Sequence, residues 1–322
     1  MAPVALFIFN RPALTARVFE RIRAAKPARL LVVADGPRAD RPDDTRRCEA
    51  ARMVLKSLDW PCDVLTNFAE ANLGCRRRFS SGLDWVFSHC SEVIVLEDDC
   101  LPCSSFFTFC AEMLERYRDD TRIMHVSGDN YQNGIHRGAA SYFFSRYSLS
   151  WGWASWRRAW RHYDVNLSSW PLALEERWLE SILDDSIEID YWTDIFDRLY
   201  REEIDTWDYQ WLFACWCQSG LTIQPNENLV SNIGVGPDAT HCKEKHSTIG
   251  IPTRELGKLV HPFEVIRNRK ADCFTFREHV LGNQMRGKGA WFRRARKGLA
   301  LRTRMNSLFP AIFALGRDDP HF

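Results

Sequence analysis

Val93-Ile94-Val95-Leu96-Glu97-Asp98-Asp99 runs four apolar residues into three adjacent carboxylates, and this junction decides how the chain is read. The apolar part has the length and β-branched content of a buried strand. The acidic part cannot extend it, because neighbouring carboxylates repel and need solvent or a counter-charge. A strand that stops on acids presents them at its carboxyl end, where open α/β sheets bind ligands. A solvated acidic turn would show the same three residues, but the apolar strand before them favours a site.

Toward the N-terminus, residues 4–9, 30–34, 62–66 and 93–96 read as strands. Residues 14–24, 44–58 and 77–87 read as amphipathic helices between them. This βαβαβαβ order predicts an α/β, Rossmann-like fold: a mostly parallel sheet with helices on both faces. Asn10-Arg11-Pro12 and Asp35-Gly36-Pro37 are polar breaks at the ends of the first two strands, on the same side as the acidic triplet. Toward the C-terminus, residues 105–118 look helical, and 123–127 and 142–145 look extended. Residues 151 to about 218 read as Trp-rich and helical, and 221–224 and 229–232 as further strands. Residues 234–262, rich in Gly, Pro and Thr, have the composition of a mobile loop.

With 322 residues, 45% hydrophobic and 26% charged, the composition is that of a soluble globular enzyme. The net charge of +1 conceals an asymmetry: between His279 and Arg317 there are nine Lys or Arg and no acid. The opening apolar run is too short, and lacks a basic leader, to read as a secretory signal. No apolar run reaches the roughly 18 residues of a spanning helix. Eleven scattered cysteines suit reduced thiols in the cytosol better than a disulfide framework. Cys100 and Cys103 have CxxC spacing, but no second pair completes a zinc site.

The chemistry of the triplet suits a hard divalent cation, Mn²⁺ or Mg²⁺, held by one or two carboxylates and completed by phosphate oxygens. Such an ion acts as a Lewis acid on a departing phosphate. The segment from Val93 to Pro102, followed by Phe106-Phe107, resembles the Glu-Asp-Asp motif of the N-acetylglucosaminyltransferase I family. There it is the local form of the Asp-x-Asp signature of GT-A glycosyltransferases. The chain is also similar to a group of bacterial nucleotide-diphospho-sugar transferases, some with hemolysin-like names. The likeness runs from about residue 3 to about residue 245 and is loose outside the motifs.

The resemblance implies a GT-A fold with a donor-binding half (1–130), a helical, Trp-rich acceptor half (131–262) and a basic C-terminal tail (263–322). It implies Asp99 as metal ligand, Asp98 at the donor's ribose or sugar, and Glu97 completing the strand end. Asp35 matches a residue that contacts uracil, although an Asx turn before Gly36-Pro37 would explain it equally. Arg11 matches a phosphate-pairing Arg. Arg76, in Cys75-Arg76-Arg77-Arg78 at a helix start, is the choice for pyrophosphate, because cations there are disfavoured without a bound anion.

Trp151-Gly152-Trp153-Ala154-Ser155-Trp156 concentrates indoles suited to stacking on sugar faces, with core packing as the alternative. Trp151, Trp153 and Trp207 are therefore the candidate acceptor-binding residues. Asp208, in Trp207-Asp208, aligns with the family's general base, with Asp205 as the other candidate. His241, at the end of a segment like the family's closing loop, is a second candidate metal contact.

The implied activity is inverting transfer of a sugar, by default GlcNAc from a UDP-sugar, to a glycan or lipid-linked acceptor. The tail, with Trp291 and Phe292 among its cations, suits an anionic membrane surface and a peripheral position at the inner face of the cell membrane. Nucleic acid is not expected, since no reading motif accompanies the charge. The rival enzyme is a nucleotidyltransferase, which would show a Gly-rich phosphate loop after the first strand; Asn10-Arg11-Pro12 is not one. A non-catalytic carbohydrate-binding or membrane-active protein is the third reading.

Overall fold

A computed structural model describes residues 1–234 and 248–282. Two compact units divide the chain, Met1–Thr275 and Phe276–Phe322. In the second, residues 276–281 belong to the π-helical stretch Thr275–Leu281.

The first unit is α/β throughout. In chain order it comprises β1 (Val4–Ile8), α1 (Pro12–Ala25), β2 (Arg29–Ala34), α2 (Asp44–Met53), β3 (Asp63–Phe68), α3 (Gly74–His89), β4 (Glu92–Glu97) and β5 (Cys100–Pro102). There follow α4 (Ser104–Arg116), β6 (Ile123–Ser127), β7 (Tyr142–Ser145), β8 (Trp153–Trp156), α5 (Arg157–Trp160), α6 (Trp170–Glu175), α7 (Trp178–Ile182) and α8 (Ser186–Tyr200). The unit closes with α9 (Asp208–Cys217), β9 (Leu221–Pro225), β10 (Val230–Asn232) and α10 (Arg269–Phe274).

Among the described residues, eight strands form one sheet in the order β3-β2-β1-β4-β8-β6-β9-β7, while β10 and β5 make a separate antiparallel pair. The first four strands are mutually parallel. β8 runs antiparallel to β4 and β6, and β7 antiparallel to β9. This is the Rossmann-like α/β sheet that the strand–helix alternation predicts.

Every residue of β1 is buried, because helices cover both faces and successive side chains enter opposite cores. Val4, Leu6 and Ile8 join one core with Phe19, Leu96, Phe106 and Trp156. Ala5 and Phe7 join the other with Phe79, Leu83, Trp153, Trp160, Trp207 and Trp211. β3 is the outer edge strand and alternates between exposed and half-buried.

One expectation changes here. Residues 153–156 read as part of a helical, sugar-facing region, but they form β8 in the middle of the sheet, with Val95 opposite Trp153. β-branched neighbours and full burial make an extended strand the better home for this aromatic run. The antiparallel pairing has a positional consequence. The residues just before β8 arrive beside the carboxyl end of β4, next to the acidic triplet.

Candidate functional site

β1 leaves β2 and β3 on one side and β4 on the other, so the sheet's switch point lies between β1 and β4. Chains diverge there and leave a crevice beyond the strand ends. A cleft of about 360 Å³ occupies it, with Phe9, Arg11, Asp35, Arg38, Arg78, Glu97, Asp98, Asp99, Trp151, Asp205 and Gly234 among its walls.

The charges at its floor are partly self-compensated. Arg11 lies in the short turn after β1 and precedes Pro12, the first residue of α1. Its Nη1 donates to Asp99 Oδ2 at 2.8 Å, and its Nη2 makes a short bond to Asp98 Oδ1. The Phe9 amide donates to the other oxygen of Asp98 at 3.3 Å. Burial works against the Arg11 charge, but Asp98 and then Asp99 hold its pKa above the ordinary value. Burial pushes the Asp98 carboxyl up to about 6, with Arg11 opposing the shift and Asp99 adding to it. Glu97 is raised well above the usual range, first by burial and then by Asp99 and Asp98. One guanidinium thus offsets only part of three clustered carboxylates.

Asp99 is also enclosed from the far side. The Ile233 amide donates to its carbonyl at 2.8 Å. A side chain at Gly234 would place its Cβ 2.1 Å from Asp99 Oδ2, so only glycine fits there. Asp99 Oδ1 accepts a weak bond from the Cys100 thiol at 3.6 Å. No three metal-ligating side chains converge among the described residues. The donor set therefore fits a hard cation only as a one-carboxylate site completed by ligand oxygens, with Arg11 moving off Asp99 to admit it. His241 lies outside the described residues.

Asp35 is buried and reaches the cleft, but its oxygens are engaged. Oδ1 accepts from the amides of Gly36 and Leu73 at 2.8 and 2.9 Å. Oδ2 accepts from Asn72 Nδ2 at 2.9 Å and from the Gly74 amide at 3.2 Å. Asp35 thereby caps the amino end of α3, and Gly36 lets the chain pass, since a Cβ there would meet the Ala71 backbone at 2.4 Å. Burial raises its pKa in spite of the three amides.

That cap explains why Arg76 does not come to the cleft. The helix start already holds a carboxyl group, so the cations behind it need no bound anion. Arg76 instead donates to the carbonyl of Val165 at 3.0 Å and pairs with Glu202 at 3.3 Å. Besides Arg11, the arginines that line the cleft are Arg38 and Arg78. Arg38 pairs with Asp44 at 2.6 Å and lies 5.3 Å from the Phe9 ring centre. Arg78 is buried, donating to Ala34 O at 3.1 Å and Asn67 Oδ1 at 2.9 Å. Arg38 follows the strand-end signal Asp35-Gly36-Pro37 directly, which was the clue to it in the sequence.

The tryptophans divide. Trp151 is half-buried and lines the cleft, with its amide donating to Asp129 Oδ2 at 3.0 Å. Trp153 is fully buried, stacked on His125 at 5.0 Å and on Trp207 at 5.5 Å. Trp207 is buried too, lying 3.9 Å from the Phe79 ring and nearly parallel to it. Both expectations of acceptor stacking are corrected: an indole beneath the sheet gains more from burial than a surface site would give it.

Of the two candidate bases, Asp205 lines the cleft and Asp208 is not among its walls. Asp208 is the first residue of α9 and accepts a short bond from the Thr206 hydroxyl. Its charge still reaches Glu97, so both acids belong to one electrostatic neighbourhood. Asp205 accepts from the Arg76 amide at 3.2 Å.

No family model and no curated protein matches the chain. Among solved structures it is similar to mouse xyloside xylosyltransferase 1 in its apo form, with 11% identity, a TM-score of 0.34, and coverage of 66% of this chain and 81% of that one. It is similar to HddC from Yersinia pseudotuberculosis at 10% identity and a TM-score of 0.30, over 49% of this chain and 78% of that one. A cytidylyltransferase from Leptospira borgpetersenii serovar Hardjo-bovis gives 12% and 0.30, over 50% and 63%. At such values the reading of the cleft rests on its own geometry.

Proposed function

We propose that the chain is an inverting glycosyltransferase that takes a sugar from a nucleoside-diphosphate donor and passes it to a hydroxyl of a glycan or lipid-linked acceptor. The observation that carries this reading is the Arg11–Asp98–Asp99 cluster at the floor of a cleft at the switch point of the sheet. A diphosphate needs cations and a sugar needs hydrogen-bonding oxygens, and this floor offers both. The resemblance in the sequence makes a UDP-sugar, with GlcNAc, the default donor.

Arg11 would exchange its carboxylates for the donor's phosphate. Asp99 would then hold Mn²⁺ or Mg²⁺, an ion that supplies Lewis-acid stabilisation of the departing diphosphate. Asp98 and Glu97 would accept hydrogen bonds from donor hydroxyls. Of the three candidate indoles, Trp151 is the one that lines the cleft and would contact the ligand.

We assign the proton-accepting role to Asp205 rather than Asp208, because of these two only Asp205 lines the cleft. It would take the proton of the attacking hydroxyl as that oxygen closes on the anomeric carbon. The basic tail, read from sequence alone, would hold the enzyme at the inner face of the cell membrane.

A thermal-shift screen of sugar nucleotides with and without Mn²⁺ tests the proposal, since a ligand that binds only the folded chain raises its melting temperature. At least one UDP-sugar should stabilise the chain more with Mn²⁺ than without. Asp99→Ala should remove the metal-dependent increment and leave the unliganded melt in place. Absence of any nucleotide-dependent shift, or an undiminished increment in Asp99→Ala, would overturn the assignment.

A further inference from the structure

The far edge of the eight-stranded sheet carries a second feature. Among the described residues β7 is the last strand of this sheet, and residues 260–268 run along its outer side. The Ser141 amide donates to Val260 O at 2.8 Å, and the Val260 amide to Ser141 Oγ at 2.9 Å. Eight residues later, the Asn268 amide donates to Phe144 O at 2.7 Å. The loop between these anchors is therefore held at both ends. It presents Phe263 at 98% exposure, Ile266 at 70% and Val260 at 54%. These side chains border a groove of about 380 Å³ whose walls include Tyr142, Phe144 and His261.

Three large apolar side chains presented within seven residues forgo burial that the core offers elsewhere. The flanks of the loop are basic. Between Lys258 and Lys270 stand four Lys or Arg and a single acid, Glu264. Arg267 and Arg269 share Asp184, at 3.2 and 2.8 Å, whereas Lys258 and Lys270 have no ion pair among the described residues. Exposed apolar residues between cations suit the boundary between headgroups and acyl chains, where rings insert and ammonium groups meet anionic lipids. A second copy of the chain fits less well, since a symmetric contact would set each lysine pair against its own equivalent.

We infer that residues 258–270 form a membrane-docking tip, in which Phe263, Ile266 and Val260 enter the interface of an anionic lipid bilayer and Lys258 and Lys270 meet its headgroups. The inference does not depend on the reaction assigned to the cleft. It is also separate from the basic stretch after His279, which every variant below retains.

The test is co-sedimentation of the full chain with vesicles of phosphatidylcholine alone and with added phosphatidylglycerol. Phe263→Ser/Ile266→Ser should lower partition onto the anionic vesicles about tenfold or more, the loss expected for two apolar groups that no longer insert. Lys258→Glu/Lys270→Glu should lower it similarly at low salt and less at high salt. All four positions lie away from the cleft walls, so the melting temperature and the nucleotide-induced shift should match the parent chain. Equal partition of parent and Phe263→Ser/Ile266→Ser overturns the inference, as does a parent chain that binds neither vesicle. A parent dimer that this double variant dissolves, without vesicle binding, would give the surface to a second copy and overturn it as well.

Discussion

Two clusters of chemically distinctive residues stand out in this chain, and the fold treats them in opposite ways. Glu97-Asp98-Asp99 stays at the cleft, where Arg11 and ligand space meet its charge. Of the indoles at 151, 153 and 207, only Trp151 lines that cleft, while the other two are sealed in the core. A carboxylate loses heavily on burial without a partner, so its position is constrained by charge. An indole gains on burial and needs at most one hydrogen bond, so its position is decided by packing. Density of acids in a sequence is thus a sharper pointer to a site than density of tryptophan.

The sharpest test of that contrast lies on the acidic side. Asp205→Asn should lower transfer by roughly 10²–10⁴-fold, the contribution of a positioned base, while nucleotide affinity holds. Asp208→Asn should cost less than about tenfold in turnover if its place at the start of α9 is structural. Steady-state kinetics of the two variants decide between them, and a larger loss in Asp208→Asn would return the role to that residue.

On the aromatic side, Trp153→Ala should destabilise the fold by about 3–5 kcal/mol in urea denaturation, as for other large core truncations. Trp151→Ala should cost distinctly less and instead weaken ligand binding, by about tenfold if a ring or sugar stacks on it. Equal destabilisation by the two would erase the distinction between core and cleft.

The third expectation concerns pH. Burial holds the Asp98 carboxyl at about 6 in the folded chain, above its ordinary value. The unfolded chain then releases this proton at lower pH than the folded one, so the contribution falls as pH rises from about 4 to about 6. Asp98→Asn should remove that slope. Its stability relative to the parent should grow across this window by up to about 3 kcal/mol and stay level above pH 7. Denaturation at pH 4.5 and pH 7 suffices, and a gap that narrows with rising pH would contradict the burial argument.

The smallest effect should come from Arg11→Met. Removing the internal cation frees Asp98 and Asp99, so Mn²⁺ alone should bind about tenfold more tightly while UDP binds more weakly. Calorimetry reads both, and a loss of Mn²⁺ affinity would show that Arg11 supports the metal rather than competing with it.

The strand-to-acid junction was legible because it combines two local signals, an apolar β-branched run and a charge cluster that cannot be buried alone. The parallel half of the sheet followed from strand–helix alternation for the same reason: each element's pattern is written within its own residues. Arg76 was misplaced because nothing local reveals that Asp35, 41 positions earlier, already caps its helix. The 153–156 strand was missed because an aromatic run satisfies a buried strand and a sugar platform equally well until Val95 is known to lie opposite Trp153. The sequence by itself determined the α/β class, the strand ends and the acids that mark the cleft, since alternation and charge act over a few residues. Only the tertiary structure decided which arginine meets those acids, which tryptophan faces the cleft and which aspartate stands on its wall. Those choices depend on pairings between residues tens of positions apart, where burial and hydrogen bonding rather than residue type settle the role.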